Sequence, residues 1–181
     1  METHPEGTEV LDFWRDAGPK KWFAKNAGFD AEFKARFETA HLAAATGALD
    51  HWASHPEGAL ALLVLLDQFP RNVWRGSGHM FATDGKARAV AGAAIDAGLD
   101  QHFDAALRAF FYLPFMHSES LADQERSVRL NAALDDDTQR YARMHRDIIA
   151  RFGRFPHRNA PLGRLSTPAE QRYLEAGGFG G

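Results

Sequence analysis

Glu57-Gly58-Ala59-Leu60-Ala61-Leu62-Leu63-Val64-Leu65-Leu66-Asp67-Gln68-Phe69, followed by Pro70-Arg71-Asn72, sets the architecture of this chain. The segment is apolar nearly all round, with Asp67 and Gln68 as polar residues near its end. A helix without a polar face is buried on most of its surface, so other helices have to surround it. The run Ala59 to Leu66 is far too short to span a bilayer, which takes about 20 apolar residues. Pro70 has no N–H and clashes with the preceding turn, which predicts that the helix stops there.

Helical signals continue on both sides, and no convincing strand pattern appears. Thr8 is placed to cap a first helix carrying Val10, Leu11, Phe13 and Trp14 and ending near Gly18-Pro19. Residues 1–7 then form a disordered tail. After an aromatic segment with Trp22 and Phe23, Asp30 is placed to cap a helix in which Phe33, Phe37 and Ala40 recur until Gly47. Asp50 to His55 reads as a brief helical turn closed by Pro56. Beyond the loop Gly76 to Asp84, an Ala-rich helix runs to about Ala97 and stops at Gly98. The next covers about Asp104 to Leu113 and is interrupted by Pro114. Further helices are expected over about Glu119 to Leu134, Asp137 to Phe152 and Thr167 to Ala176. Thr167-Pro168-Ala169-Glu170 joins an N-cap, a first-position proline and a glutamate three residues after the cap. Ala45-Thr46-Gly47-Ala48-Leu49-Asp50 is echoed by Asp96-Ala97-Gly98-Leu99-Asp100 about fifty residues later, as in a helical-hairpin array.

At 181 residues the chain is long enough for one well-buried core, and with no linker it reads as a single domain over 1–181. Hydrophobic residues at 45% and charged residues at 25% are the ordinary globular balance and argue against an intrinsically disordered chain. The absence of cysteine excludes disulfides, thiolate metal sites and a cysteine nucleophile. The polar, acidic start Met1-Glu2-Thr3-His4-Pro5-Glu6-Gly7 is no secretory signal. A cytoplasmic protein without membrane contact is the expectation. The net charge of −3 is uneven: Arg151, Arg154, Arg158, Arg164 and Arg172 against Glu170 and Glu175 make residues 151–181 positive. That suits a small anion, but no basic helix face or aromatic-basic motif predicts nucleic acid.

Four segments concentrate polar groups among aromatics. Asp67 and Gln68 close the buried helix, where an acid is disfavoured by the helix dipole and needs a partner such as Arg71. Tyr112-Leu113-Pro114-Phe115-Met116-His117-Ser118-Glu119 carries an imidazole and a carboxylate suited to proton transfer or metal ligation. Alternatively, Ser118 caps the next helix and His117 bonds a backbone carbonyl. Arg151-Phe152-Gly153-Arg154-Phe155-Pro156-His157-Arg158-Asn159 presents guanidiniums shaped for carboxylate or phosphate, or for helix carbonyl ends. His145 lies two turns before Phe152 and is placed to face the same region or to serve the core. His51 and His55 have i,i+4 spacing, but no HExxH pattern surrounds them. Gly76-Ser77-Gly78 matches no phosphate loop, and no GxSxG elbow occurs.

Val10-Leu11-x-Phe13-Trp14, Trp22-Phe23, Leu66-Asp67-Gln68-Phe69-Pro70-Arg71-Asn72, the segments Tyr112 to Glu119 and Arg151 to Asn159, and Leu162-Gly163-Arg164-x-Ser166-Thr167 resemble the motifs of the bacterial DUF924 family. The likeness runs in order from about Val10 to Phe179. It implies an all-α, TPR-like array of antiparallel helices, and it implies no activity. A peptide groove does not follow from fold alone.

The leading expectation is a pocket at helix ends for a small anionic ligand. His117, Glu119, Asp67 and His157 are its acid-base candidates. Gln68, Arg71, Asn72, Arg154, Arg158 and Asn159 are its ligand-binding candidates. A metal variant uses His117, Glu119, His145 or His157 as ligands. The rivals are a helical module for a protein or peptide partner and a set of buried structural networks. Cofactor, reaction and oligomeric state stay open.

Overall fold

A computed structural model describes residues 5–181, and among these it is all-α, without a strand. Residues 1–4 of the expected tail lie outside the described residues, while 5–7 are already helical. The described chain forms two compact units. One holds the residues up to Arg75 with His79–Pro114, and the other holds Gly76–Gly78 with Phe115–Gly181.

In the first unit, α1 (Pro5–Ala17) starts earlier than the expected cap at Thr8. Proline is tolerated in the first helical turn because its missing N–H would be unsatisfied there anyway. Gly7 fits within this helix against the Trp52 ring. After the short α2 (Pro19–Trp22), α3 (Ala27–Thr46) begins at Asn26, whose side chain accepts the Phe29 N–H at 3.0 Å. Asn26 thus takes the capping role expected of Asp30, leaving the Asp30 carboxylate for longer-range partners. Phe29, Phe33, Phe37 and His41 recur every four residues and are all buried. Gly47 ends the helix in the left-handed region at φ 92°, where a side chain would be strained.

The apolar segment forms α4 (Pro56–Leu63), and residues 58–70 are buried without a break. It packs against α1 and against α6 (Asp84–Asp96), whose buried Ala87, Ala91 and Ala94 allow close approach. Gly58 has no room for a side chain beside the Trp52 backbone. Contrary to expectation, Pro70 does not stop the helix. The backbone widens into a π-helical turn over Val64–Gln68 and continues as α5 (Phe69–Val73). Phe69 N–H reaches back five residues to Val64 O. In that register Leu65 O would receive the N–H that Pro70 lacks, and His41 Nδ1 meets it instead at 2.8 Å. The Thr83 hydroxyl donates to Leu66 O. The wide turn also relieves the ring clash that proline makes in a regular α-helix.

The aromatic wall of this unit joins α1 to α3, with Phe13 stacked on Phe29 at 5.0 Å and Trp14 edge-on to Phe110 at 5.3 Å. Phe110 belongs to α7 (Ala105–Met116), which passes through Pro114 instead of breaking there. The helix ends two residues later, so the proline disturbs only its last turn. The echoed segments share a local form: Gly47 and Gly98 both close a helix at positive φ and lead into 3₁₀ turns, Asp50–Ser54 and Leu99–His102.

In the second unit, α8 (Leu121–Asn131) and α9 (Asp136–Phe152) pack as a helical hairpin across residues 132–135. Asp135 caps α9, and Gly153 closes it at φ 70°. Ile148, Ile149 and Phe155 form a core with Met144, Phe152, Tyr173 and Phe179 around it. Before α8, the Ser118 hydroxyl donates to Asp123 Oδ2 at 2.6 Å and accepts the Ser120 N–H. α10 (Pro168–Glu175) starts with the complete capping box expected at Thr167 and Glu170.

Candidate functional site

The candidate residues fall into two ionic networks and one imidazole cluster. In the first unit, Asp67 is 1% exposed at the π turn. Its Oδ2 accepts from Gln68 Nε2 at 2.6 Å, and its Oδ1 accepts from Arg71 Nη1 at 3.2 Å. Arg71 also grips Asp84 with both Nη atoms, at 2.7 and 2.9 Å. Burial alone would lower the Arg71 pKa, but Asp67 and Asp84 hold it above its ordinary value. Next to this network, Asn72 Nδ2 donates to Asp30 Oδ1 at 2.9 Å and Arg75 Nε to Asp30 Oδ2 at 3.0 Å. The Asp67–Arg71 pair was expected from nearness in sequence, and the helix that continues through Pro70 makes it an i,i+4 contact. Asp84, Asp30 and Arg75 were missed because their partners lie on other helices.

The second network is centred on Arg164, which was not among the candidate site residues expected from sequence. Its Nη atoms hold both oxygens of Glu119 at 2.7 and 2.9 Å, and its Nε donates to Asn159 Oδ1 at 2.9 Å. Glu119 Oε1 also accepts the Phe155 N–H at 2.8 Å. Desolvation would raise the Glu119 pKa, yet these donors keep it below the usual carboxylate value. The Asn159 amide donates to Glu170 Oε2 at 3.2 Å, and Arg154 holds both Glu170 oxygens at 2.7 and 2.9 Å. Arg154 is the main cause that lowers the Glu170 pKa to about 2. Arg154 also donates to Leu165 O at 2.8 Å. This network joins the α9 exit, the following loop and the α10 cap. Its carboxylates are ionised near pH 7, with donors on every oxygen. These bonds tie the loop after α9 to the start of α10.

The imidazole cluster surrounds Phe155, which is fully buried. His145 approaches its ring at 5.5 Å, His157 at 5.6 Å, and the Arg158 guanidinium lies over it at 4.6 Å. Phe179 closes on His145 at 4.7 Å and on His157 at 5.1 Å. Arg158 Nη2 donates to His117 O at 2.8 Å, drawing the His117 segment to the same place. Arg158 and His145 are each only 7% exposed. Burial first, opposed by a bond from Nδ1 to Tyr141 O and reinforced by His117, Arg158 and His157, lowers the His145 pKa to about 4. His145 is therefore neutral near pH 7. Because Tyr141 O is an acceptor, Nδ1 carries the proton and Nε2 the lone pair.

Thus Asp67, Gln68 and Arg71 come together in the first unit, with Asn72 beside them. In the second, Glu119, Arg154 and Asn159 share one network, while His117, His157 and Arg158 join His145. Among the described residues no group of three or more His, Asp or Glu is arranged to hold a metal ion. No described helix is long and apolar enough to cross a membrane.

A comparison with curated proteins returned no match. Among solved structures, the protein of unknown function ATU0120 from Agrobacterium tumefaciens is 51% identical, with a TM-score of 0.94. The match covers 97% of this chain and 99% of that one. The family model described as "Bacterial protein of unknown function (DUF924)" matches residues 10–178. Through that match and the shared architecture, the chain belongs to the DUF924 family.

Proposed function

We propose that the protein binds a small oxyanion, a phosphate or carboxylate compound, at the cluster of His117, His145, His157 and Arg158. The observation that carries this reading is the buried Arg158 guanidinium set over Phe155, with His145 and His157 against the same ring and the His117 carbonyl accepting from Arg158 Nη2. Guanidinium offers planar paired donors to carboxylate or phosphate. Imidazole nitrogens add donors whose number grows on protonation. An enzymatic role would use His117 or His157 as the acid-base group. We also read the α8–α9 hairpin as one element of a TPR-like array, and the cysteine-free chain as cytoplasmic.

Histidine ring proton signals should be followed by NMR while inorganic phosphate or succinate is added. A saturable shift of the His117, His145 and His157 signals, without equal movement of exposed His51, His55 and His102, supports the site. It should weaken in Arg158→Gln and, if that variant unfolds, in His157→Gln. Non-saturating shifts spread over all histidines would sink the reading. Because a bound anion favours imidazolium, affinity should rise as pH falls.

A further inference from the structure

A groove of about 450 Å³ lies along α9 and against α10 in the second unit. Its floor is apolar: Met144, Ile148, Phe152 and Tyr173. Arg140, Arg143 and Arg151 line it along one side of this strip. Its lining includes one carboxylate, Asp147, which accepts from Arg146 Nε at 2.6 Å. Arg140 pairs with Asp137 across an exposed contact, which is worth little in water. Among the described residues neither Arg143 nor Arg151 is in an ion pair. Arg151 is held over Phe152 and Tyr173, at 4.7 and 5.6 Å from their ring centres. The groove therefore joins an apolar strip to two exposed guanidiniums without carboxylate partners.

We infer that this groove docks an acidic amphipathic helix of a partner protein. Arg140 to Arg151 spans about 16 Å of α9, or three turns, which suits an occupant of three to four turns. Apolar anchors at i, i+4 and i+7 would lie on the strip. Flanking carboxylates would meet Arg143 and Arg151, giving charge complementarity and register. The described residues include no strand, so an added β-strand has no edge to pair with. This inference is independent of the anion site.

The probe is a fluorescein-labelled, amidated peptide of about 14 residues, long enough for marginal helicity, with Leu at i, i+4 and i+7 and Glu on both flanks. A matched peptide carries Lys in place of Glu. The full-length protein should bind the Glu peptide saturably in fluorescence anisotropy, less tightly as salt rises. It should bind the Lys peptide at least about tenfold more weakly, as should the double variant Arg143→Glu/Arg151→Glu with the Glu peptide. Arg143→Ala/Arg151→Ala gives a milder second test if charge reversal impairs folding. Equal binding of both peptides, or none at millimolar protein, overturns the inference. Undiminished binding by a correctly folded alanine variant overturns it too. Self-association abolished by these substitutions, with no peptide binding, would assign the face to a second copy. Capture by anionic phosphatidylglycerol vesicles without peptide binding would assign it to lipid; either result also refutes the helix.

Discussion

Glu119→Gln separates a structural clamp from a proton-transfer group. The substitution keeps the shape and an oxygen for the Phe155 N–H, but it places an amide NH₂ against one arm of Arg164. Breaking a fully buried ion pair costs roughly 3–5 kcal/mol. Here the side chains are 26% and 24% exposed, so water recovers part of the loss. Keeping one acceptor reduces it further, leaving about 2 kcal/mol. For a protein of this size that lowers Tm by about 4–8 °C. Because the folded pKa of Glu119 is depressed, the clamp's stability is present above the ordinary carboxylate value and fades as pH falls through the folded value. The gap between wild type and variant should therefore narrow in acid. Thermal unfolding followed by far-UV circular dichroism reads both units, whereas Trp14, Trp22, Trp52 and Trp74 report only the first. A Tm unchanged at neutral pH, or a gap that stays constant in acid, would refute the clamp. In the double-mutant cycle, Arg164→Met should show coupling with Glu119→Gln of about 1–3 kcal/mol, as contacting residues do.

His41→Phe keeps an aromatic ring against Phe69 but leaves Leu65 O without its donor, at a cost of about 1–3 kcal/mol in denaturant unfolding. Adding Pro70→Ala supplies a backbone N–H and should recover part of that loss; a neutral His41→Phe would refute this account of the π turn. His145 is protonated near 6.5 when unfolded but only near 4 when folded. Its contribution is full above 6.5 and is lost as pH falls towards 4, at about 1.4 kcal/mol per unit and about 3 kcal/mol in all. Denaturant unfolding across this range should show that slope in the wild type and a smaller one in His145→Gln. Equal slopes would place the acid sensitivity elsewhere.

Local order determines much of this molecule. The apolar run from Ala59, the four-residue recurrence of Phe33 and Phe37, Gly47 and Gly153 at helix ends, and the capping box at Thr167 are short-range features. Their physics acts within a few residues, so the sequence alone determines the helical class and most helix ends. The Asp67–Arg71 pair was legible for the same reason. Tertiary structure decided what happens at Pro70, because His41, twenty-nine positions earlier, supplies a donor that no local rule contains. It likewise decided that Glu119 belongs to Arg164 and Glu170 to Arg154, and that His145, His157 and Arg158 meet around Phe155. Hydrogen bonds and ion pairs act over a few ångströms in space, whereas periodicity specifies only which side of a helix each group occupies; packing chooses the partners.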